Sequence, residues 1–340
     1  MSKLVGLEMK DGSIKYLWKE KNVYSPWNPF SFIAPWVSSY KNPNLMYIDL
    51  KGCHSLERFP DVSGAPNIRF LNLAFCENMV EVDESVGSLK NLILLDMSRC
   101  HKLKCLPSML KTKSLMTLNL CGCWSLKRIP EFSPCMVNLS NLLIRNCSEI
   151  EEVPSSIKSL SNLRNLNLTG CTSLKIIPNS ISELKCLHTL GLCGCKYLQT
   201  LLDFQSMESL EVLIIDSINI HGLTNSRYLR KLELLGDLGD NDFPTNLHGL
   251  SSLEELFITS NSDLIQLPES ISHLSTLKHL SICRCSRLQT LHGLPEGINV
   301  LTVKDCPSLK KIDDLNIKYK CLNSIQISGC GRFDQSYTAI

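Results

Sequence analysis

The pattern Leu-x-x-Leu-x-Leu-x-x-Cys-x-x-Leu returns every 23 or 24 residues through most of this chain. Clear copies begin at Leu45, Ile68, Leu92, Leu115, Leu163, Leu187, Leu277 and Ile298, and weaker ones at Leu139, Leu210, Leu229, Leu253 and Leu322. The sixth-position residues, such as Leu50, Leu73, Met97, Leu120, Leu168 and Leu192, point inward from a short strand, because side chains alternate with period two. A unit this short cannot bury its apolar edge alone. Stacking on its neighbours buries a continuous core, so the chain must grow as a one-dimensional array.

The fold class this predicts is an α/β repeat solenoid, a curved leucine-rich-repeat horseshoe with a parallel concave β-sheet and short irregular or 3-10 convex segments. Thirteen repeat starts at about 4.8 Å per strand give a ladder of roughly 60 Å. Strands are followed by turns such as Leu126-Lys-Arg-Ile-Pro130 and Leu174-Lys-Ile-Ile-Pro178, where proline lacks an amide donor and suits a chain leaving a sheet. Residues 1–18 read as half a repeat and residues 45–333 as the solenoid, with an irregular island at 202–250 and a tail at 334–340. Residues 19–44 break the period with a loop rich in proline and aromatics, including Trp27, Phe30 and Trp36. That loop either shields the first turn or contacts a partner. The island, where Leu210 to Leu229 is a step of only 19 residues and Asp237, Asp240 and Asp242 cluster, is either a relaxed turn or a hinge.

With 35 basic and 33 acidic residues the formal net charge is +2, which offers no electrostatic case for a nucleic-acid or membrane partner. No secretory signal is legible near Met1, and no apolar run approaches the roughly 18 residues of a membrane span. Ten of the 17 cysteines, Cys53 to Cys330, occupy the ninth repeat position. Side chains stacked about 4.8 Å apart lie beyond the roughly 3.8 Å that the Cβ atoms of a disulfide prefer. They read as buried free thiols packed as small hydrophobes, in keeping with a reducing compartment.

No P-loop, His-Glu-x-x-His or Gly-x-Ser-x-Gly motif is present, and neither an enzyme nor a cofactor is expected. The Cys-x-Cys pairs at Cys121/Cys123, Cys193/Cys195 and Cys283/Cys285 invite a zinc reading. Their outward-facing members are separated by roughly 14–20 Å, too far for one ion whose ligands sit about 2.3 Å away, so no metal is expected either. Asn138, Asn146 and Asn167 match the glycosylation acceptor pattern by chance. Lys104, Lys127, Glu151 and Lys175 stack in one column of a solvated face, where ion pairs are worth about 0–1 kcal/mol.

What remains is the concave sheet, where positions three, five and seven face away from the core. The candidate partner-binding residues there are Tyr47, Asp49, Phe70, Asn72, Asp96, Asn119, Asn141, Arg145, Asn165, Asn167, Phe257 and His279. Mixed aromatic and amide columns suit recognition of a folded partner, with aromatics as anchors. Alanine at Tyr47, Phe70, Asn72, Asn119, Asn165, Asn167 or Phe257 is expected to weaken binding without altering melting.

The opening Leu4-Val-Gly-Leu-Glu-Met and Ile14-Lys-Tyr-Leu-Trp18, with Asp49-Leu-Lys-Gly-Cys-His-Ser-Leu56, Asn167-Leu-Thr-Gly-Cys-Thr-Ser-Leu174 and Val153-Pro-Ser-Ser-Ile-Lys-Ser-Leu160, resemble a known family. It is the leucine-rich-repeat region of plant intracellular disease-resistance receptors that carry a Toll-type (TIR) and a nucleotide-binding (NB-ARC) domain. The loop at 19–44 is longer than that family's usual spacing, and neither the Toll-type nor the nucleotide-binding sequence is read in these 340 residues. The resemblance implies a recognition module in defence signalling. Its partner would be a pathogen effector, a guarded host protein or the receptor's own NB-ARC domain, in the cytoplasm and also the nucleus. The rival reading is a substrate adaptor of an F-box-type ubiquitin ligase, whose repeats also contain cysteine but run nearer 26 residues with an Ile-Thr-Asp turn.

Overall fold

The computed structural model describes residues 5–15, 42–199, 202, 204–216, 223, 226–236, 247, 249–312 and 319–331. The loop expected at 19–44 falls almost wholly outside them, as do the aspartates of the island and the tail. The chain divides into two compact units, Met1–Cys186 and Leu187–Ile340.

The first unit stacks seven parallel strands: Gly6–Glu8, Tyr47–Asp49, Phe70–Asn72, Leu94–Asp96, Thr117–Asn119, Asn141–Leu143 and Asn165–Asn167. They pair in strict repeat register, Ile48 opposite Leu71, Leu71 opposite Leu95 and Leu142 opposite Leu166. The second unit stacks Thr189–Gly191, Val212–Asp216, Lys231–Leu235, Glu255–Thr259, His279–Cys283, Val300–Lys304 and Ser324–Ser328. The two island strands, Val212–Asp216 and Lys231–Leu235, keep full register with each other and with Glu255–Thr259. The short step between them is therefore absorbed outside the sheet.

Strand length separates the units, and one repeat position contributes to it, although Asn141–Leu143 and Thr189–Gly191 are equally short with Leu143 and Gly191 there. Each of the seven stacked strands of the first unit is three residues long, whereas six of the second unit's seven run to five. In the first unit the fifth position holds Asp49, Asn72, Asp96, Asn119 and Asn167, and each side-chain oxygen accepts the backbone N–H two residues on, at 2.8–3.1 Å. A side chain that takes this donor competes with the ladder and ends the strand. In the second unit the same position holds Ile214, Glu233, Phe257, Ser281, Thr302 and Gln326, and pairing runs on to position seven.

The residue before the core cysteine turns the chain through left-handed space, with φ between +52° and +80° at Gly52, Phe75, Arg99, Gly122, Asn146, Gly170, Gly194, Arg284 and Asp305. Glycine suits this position because it lacks a Cβ; Phe75 and Arg99 adopt it against preference.

The return segments are 3-10 turns or minimal strands, with no α-helix among the described residues. Ser155–Ser159, Asn179–Glu183 and Glu269–His273 each follow a proline, while Glu84–Ser88 is capped by the Asp83 carboxylate on Ser85 N–H. Two-residue strands pair in parallel across the same side, Arg58–Phe59 with Glu81–Val82 and Met109–Leu110 with Glu131–Phe132. The sequence reading did not anticipate these. They place Phe59 and Phe132 wholly inside. The sixth-position residues Leu50, Leu73, Leu120, Leu168 and Leu192 are fully buried as expected. No helix among the described residues is long and apolar enough to cross a membrane.

Candidate functional site

The register gathers the candidate residues of the first unit into two rows. Tyr47, Phe70, Leu94, Thr117, Asn141 and Asn165 align at position three, and Asp49, Asn72, Asp96, Asn119, Leu143 and Asn167 at position five. The rows differ in how much of their chemistry is free. Position five is spent on capping, as above, and alanine there removes a hydrogen bond that ends the strand. These hydrogen bonds argue against the expectation that alanine at Asn72, Asn119 and Asn167 leaves melting unchanged, since their amides hold the backbone, as the Asp49 and Asp96 carboxylates do.

Asp49 is committed further. It is only 3% exposed, and its carboxylate accepts from Lys51 N–H and the Tyr47 hydroxyl at 2.9 Å, with the Lys10 ammonium 3.5 Å away. Burial pushes its pKa up, but these donors outweigh burial and hold it below the usual carboxylate range. The same hydrogen bond, with burial and the nearby charge, raises Tyr47.

Position three is less committed. Phe70 is 38% exposed with the Arg69 guanidinium 6.0 Å from its ring centroid. Asn141 donates to Ser140 Oγ at 3.0 Å and lies 3.5 Å from Thr117 Oγ1, and the Asn165 side-chain oxygen has no hydrogen-bond partner. Arg145 lies beyond its strand, exposed, with no ion pair among the described residues.

In the second unit Phe257 and His279 come together edge to face, with ring centroids 4.9 Å apart. The Lys231 ammonium sits 4.7 Å from the Phe257 centroid and pairs with Glu233 at 2.8 Å. Lys231 and Glu233 were missed from sequence, since the weak repeat at Leu229 hides their place beside Phe257.

The ninth-position thiols do more than fill space. In the first unit each donates to the position-six carbonyl of the preceding repeat: Cys76 to Leu50, Cys100 to Leu73, Cys123 to Met97, Cys147 to Leu120 and Cys171 to Ile144, at 3.0–3.2 Å. Burial is the main cause that pushes Cys76 and Cys171 up to about 12, so they are not thiolates at neutral pH. In the second unit Cys306 and Cys330 reach that carbonyl only at 3.9 Å, and Asn261 takes the ninth position in the repeat from Leu253. All 17 cysteines are free thiols, and among the described residues no cluster of three or more His, Cys, Asp or Glu could hold a metal.

A second asparagine column, unread in the sequence, runs along the edge where strands begin. Asn67 donates to Pro43 O at 2.7 Å, Asn91 to Asn67 Oδ1 at 2.8 Å, Asn138 to Lys113 O at 3.0 Å and Asn162 to Val137 O at 2.7 Å. Its signal was the asparagine that recurs just before the first leucine of these repeats. Asn138 and Asn167, two of the glycosylation matches, thus have structural uses.

The arrangement aligns outward-facing side chains in repeat register, with no catalytic constellation among the described residues. The model of the leucine-rich repeats of RPS4B-like disease resistance proteins matches residues 110–330, well over half the chain. The chain belongs to that family. This disease-resistance repeat chain is 29% identical over 169 residues to disease resistance-like protein DSC1 of Arabidopsis thaliana, 40% of this chain and 14% of that protein. It is 32% identical over 84 residues to TMV resistance protein N of Nicotiana glutinosa, 25% of this chain and 6% of the other. The chain thus spans a small part of the relatives it matches. Among solved structures it superposes on a functional domain of InlJ from Listeria monocytogenes that includes a cysteine ladder, with TM-score 0.52 and 18% identity over 83% of this chain and 61% of that one. That likeness is one of fold.

Proposed function

We propose that this chain is the recognition module of a plant innate immune receptor. On its solvent-facing sheet it binds a pathogen effector or guarded host protein, or the receptor's own nucleotide-binding domain as an autoinhibitory contact. The observation that carries this reading is the set of part-exposed rings the fold sets on the sheet: Phe70 in the first unit, and Phe257 with His279 in the second. Aromatic rings part-exposed on a rigid sheet anchor partners at little entropic cost. Family membership supports the defence context, and the site of action is the cytoplasm, with the nucleus as a second compartment.

The test joins the chain to a matching Toll-type and nucleotide-binding module in leaf tissue and screens effectors for triggered cell death. Phe70→Ala and Phe257→Ala should abolish or weaken the response at unchanged protein level, and Lys158→Ala, on the return side, should not. Response lost with Lys158→Ala and retained with the sheet variants would place recognition elsewhere. A fluorescent fusion confined to an organelle or the cell exterior would overturn the compartment.

A further inference from the structure

The edge where strands of the first unit end carries charge that the fold does not neutralise. Lys51, Arg99 and Arg145 are exposed and have no ion pair among the described residues. Some cations elsewhere are matched, Lys15 with Glu57 at 2.9 Å, Lys175 with Glu151 at 2.9 Å and Lys278 with Glu254 at 3.0 Å, while others such as Lys90, Lys158 and Arg164 are equally without an ion pair among the described residues, so what marks this edge is its aromatic support. The Lys51 ammonium and the Arg99 guanidinium both lie over the Phe75 ring, 5.4 and 5.2 Å from its centroid. Such cation–π contact pins two long side chains in place while leaving their charge outward.

Phe75 and Arg99 hold this geometry under strain. Their φ values are +63° and +59° at a repeat position where Gly52, Gly122, Gly170 and Gly194 turn freely. Asn146, Arg284 and Asp305 share this conformation at the same repeat position, but among the described residues Phe75 is the one aromatic that adopts it.

The spacing follows the repeats, with Lys51 and Arg145 at position seven and Arg99 at position eight. Lys51, Arg99 and Arg145 belong to the repeats starting at Leu45, Leu92 and Leu139, so one cation stands at every second repeat. At about 4.8 Å per strand their backbones lie about 9–10 Å apart. A polyproline II segment advances about 3.1 Å per residue with three residues per turn, so side chains three apart share a face every ~9.3 Å.

We propose that this edge is a docking rail for an acidic segment of a partner protein, held in polyproline II conformation with a carboxylate at every third residue. The rail reaches beyond the sheet face, since Lys51, Phe75, Arg99 and Arg145 all lie outside the strands. The step of about 9–10 Å between the rail's cations favours a segment with one acid per polyproline II turn over a continuous phosphate chain.

The test titrates the full chain with a fluorescein-labelled peptide of four Glu-Pro-Pro repeats and reads anisotropy. Binding should weaken steeply between 50 and ~300 mM salt, as a charge-dominated contact does. Arg99→Glu or Lys51→Glu should lower affinity at least fivefold, and Lys158→Glu should leave it unchanged. Phe75→Gly separates recognition from folding: it should raise the melting temperature by removing strain and still weaken the probe. A Gln-Pro-Pro peptide should not bind. Equal binding by a peptide with its glutamates contiguous would overturn the spacing, and tighter binding by a single-stranded oligonucleotide of equal charge would overturn the protein partner. No binding of the Glu-Pro-Pro probe at low salt, or equal binding by all variants, would overturn the rail itself.

Discussion

Asn165 and Asn167 lie two residues apart on one strand and face the same side, but the fold uses only one of them as a cap. The Asn167 oxygen accepts Thr169 N–H at 3.0 Å, while the Asn165 oxygen has no partner. Asn167→Ala should cost about 1 kcal/mol, the net worth of one hydrogen bond, and Asn165→Ala should stay within about 0.5 kcal/mol; urea titrations would show the difference. The thiols carry a pH signature. Burial raises Cys76 and Cys171 from an ordinary value near 9 to about 12, so the fold favours the protonated form. Their contribution is complete below pH ~9 and is lost as pH climbs through about 12. Circular dichroism should therefore show stability falling across that window. Native alkylation at pH 8 should mark the exposed Cys105, Cys135 and Cys321 first and spare the ladder.

At the scale of the strand, the side chain at position five competes with the ladder for one backbone donor. Leu143 breaks the row of capping residues in the first unit, leaving Arg145 N–H without the side-chain acceptor its neighbours enjoy. Leu143→Asn should restore that acceptor and stabilise by about 0.5–1 kcal/mol, read as a higher urea midpoint at constant slope. A lower midpoint would mean that the cap contributes no net stability at this repeat. Leu168 lies one position past the Asn165–Asn167 strand and is fully buried. Leu168→Asp should cost several kcal/mol, because an unpaired carboxylate would sit in an apolar interior. Hydrogen exchange should then accelerate in the adjoining repeats, since each turn is stabilised by its neighbours. Melting like the parent chain would refute the assigned register.

For the molecule as a whole, recognition and stability fall on different side chains, and that division is measurable. Phe257 packs on His279 and Lys231 above the sheet, outside the buried core. Phe257→Ala should leave melting within about 0.5 kcal/mol while weakening a cognate partner roughly tenfold, about 1.4 kcal/mol. Calorimetric titration of the two proteins against the same partner would read both quantities. The near-neutral charge balance makes long-range steering weak, so salt should affect this contact far less than it affects the edge rail.

The amino-acid sequence by itself determined the repeat, its register and the core. A leucine or cysteine at a fixed period has one place to go when every turn must bury its edge on the next. Leu50, Leu120, Leu168 and the thiols Cys76 to Cys171 are therefore legible without coordinates. Which outward residues remain available was decided only by tertiary structure. Capping by Asn72 and Asn167, the thiol bonds to preceding carbonyls, the pairing of Lys231 with Phe257 and the cations over Phe75 all join atoms some two dozen residues apart or compete with the backbone for one donor. Periodicity assigns a side chain to a face; whether it stays free there depends on neighbours one repeat away, and those contacts exist only once the strands have stacked.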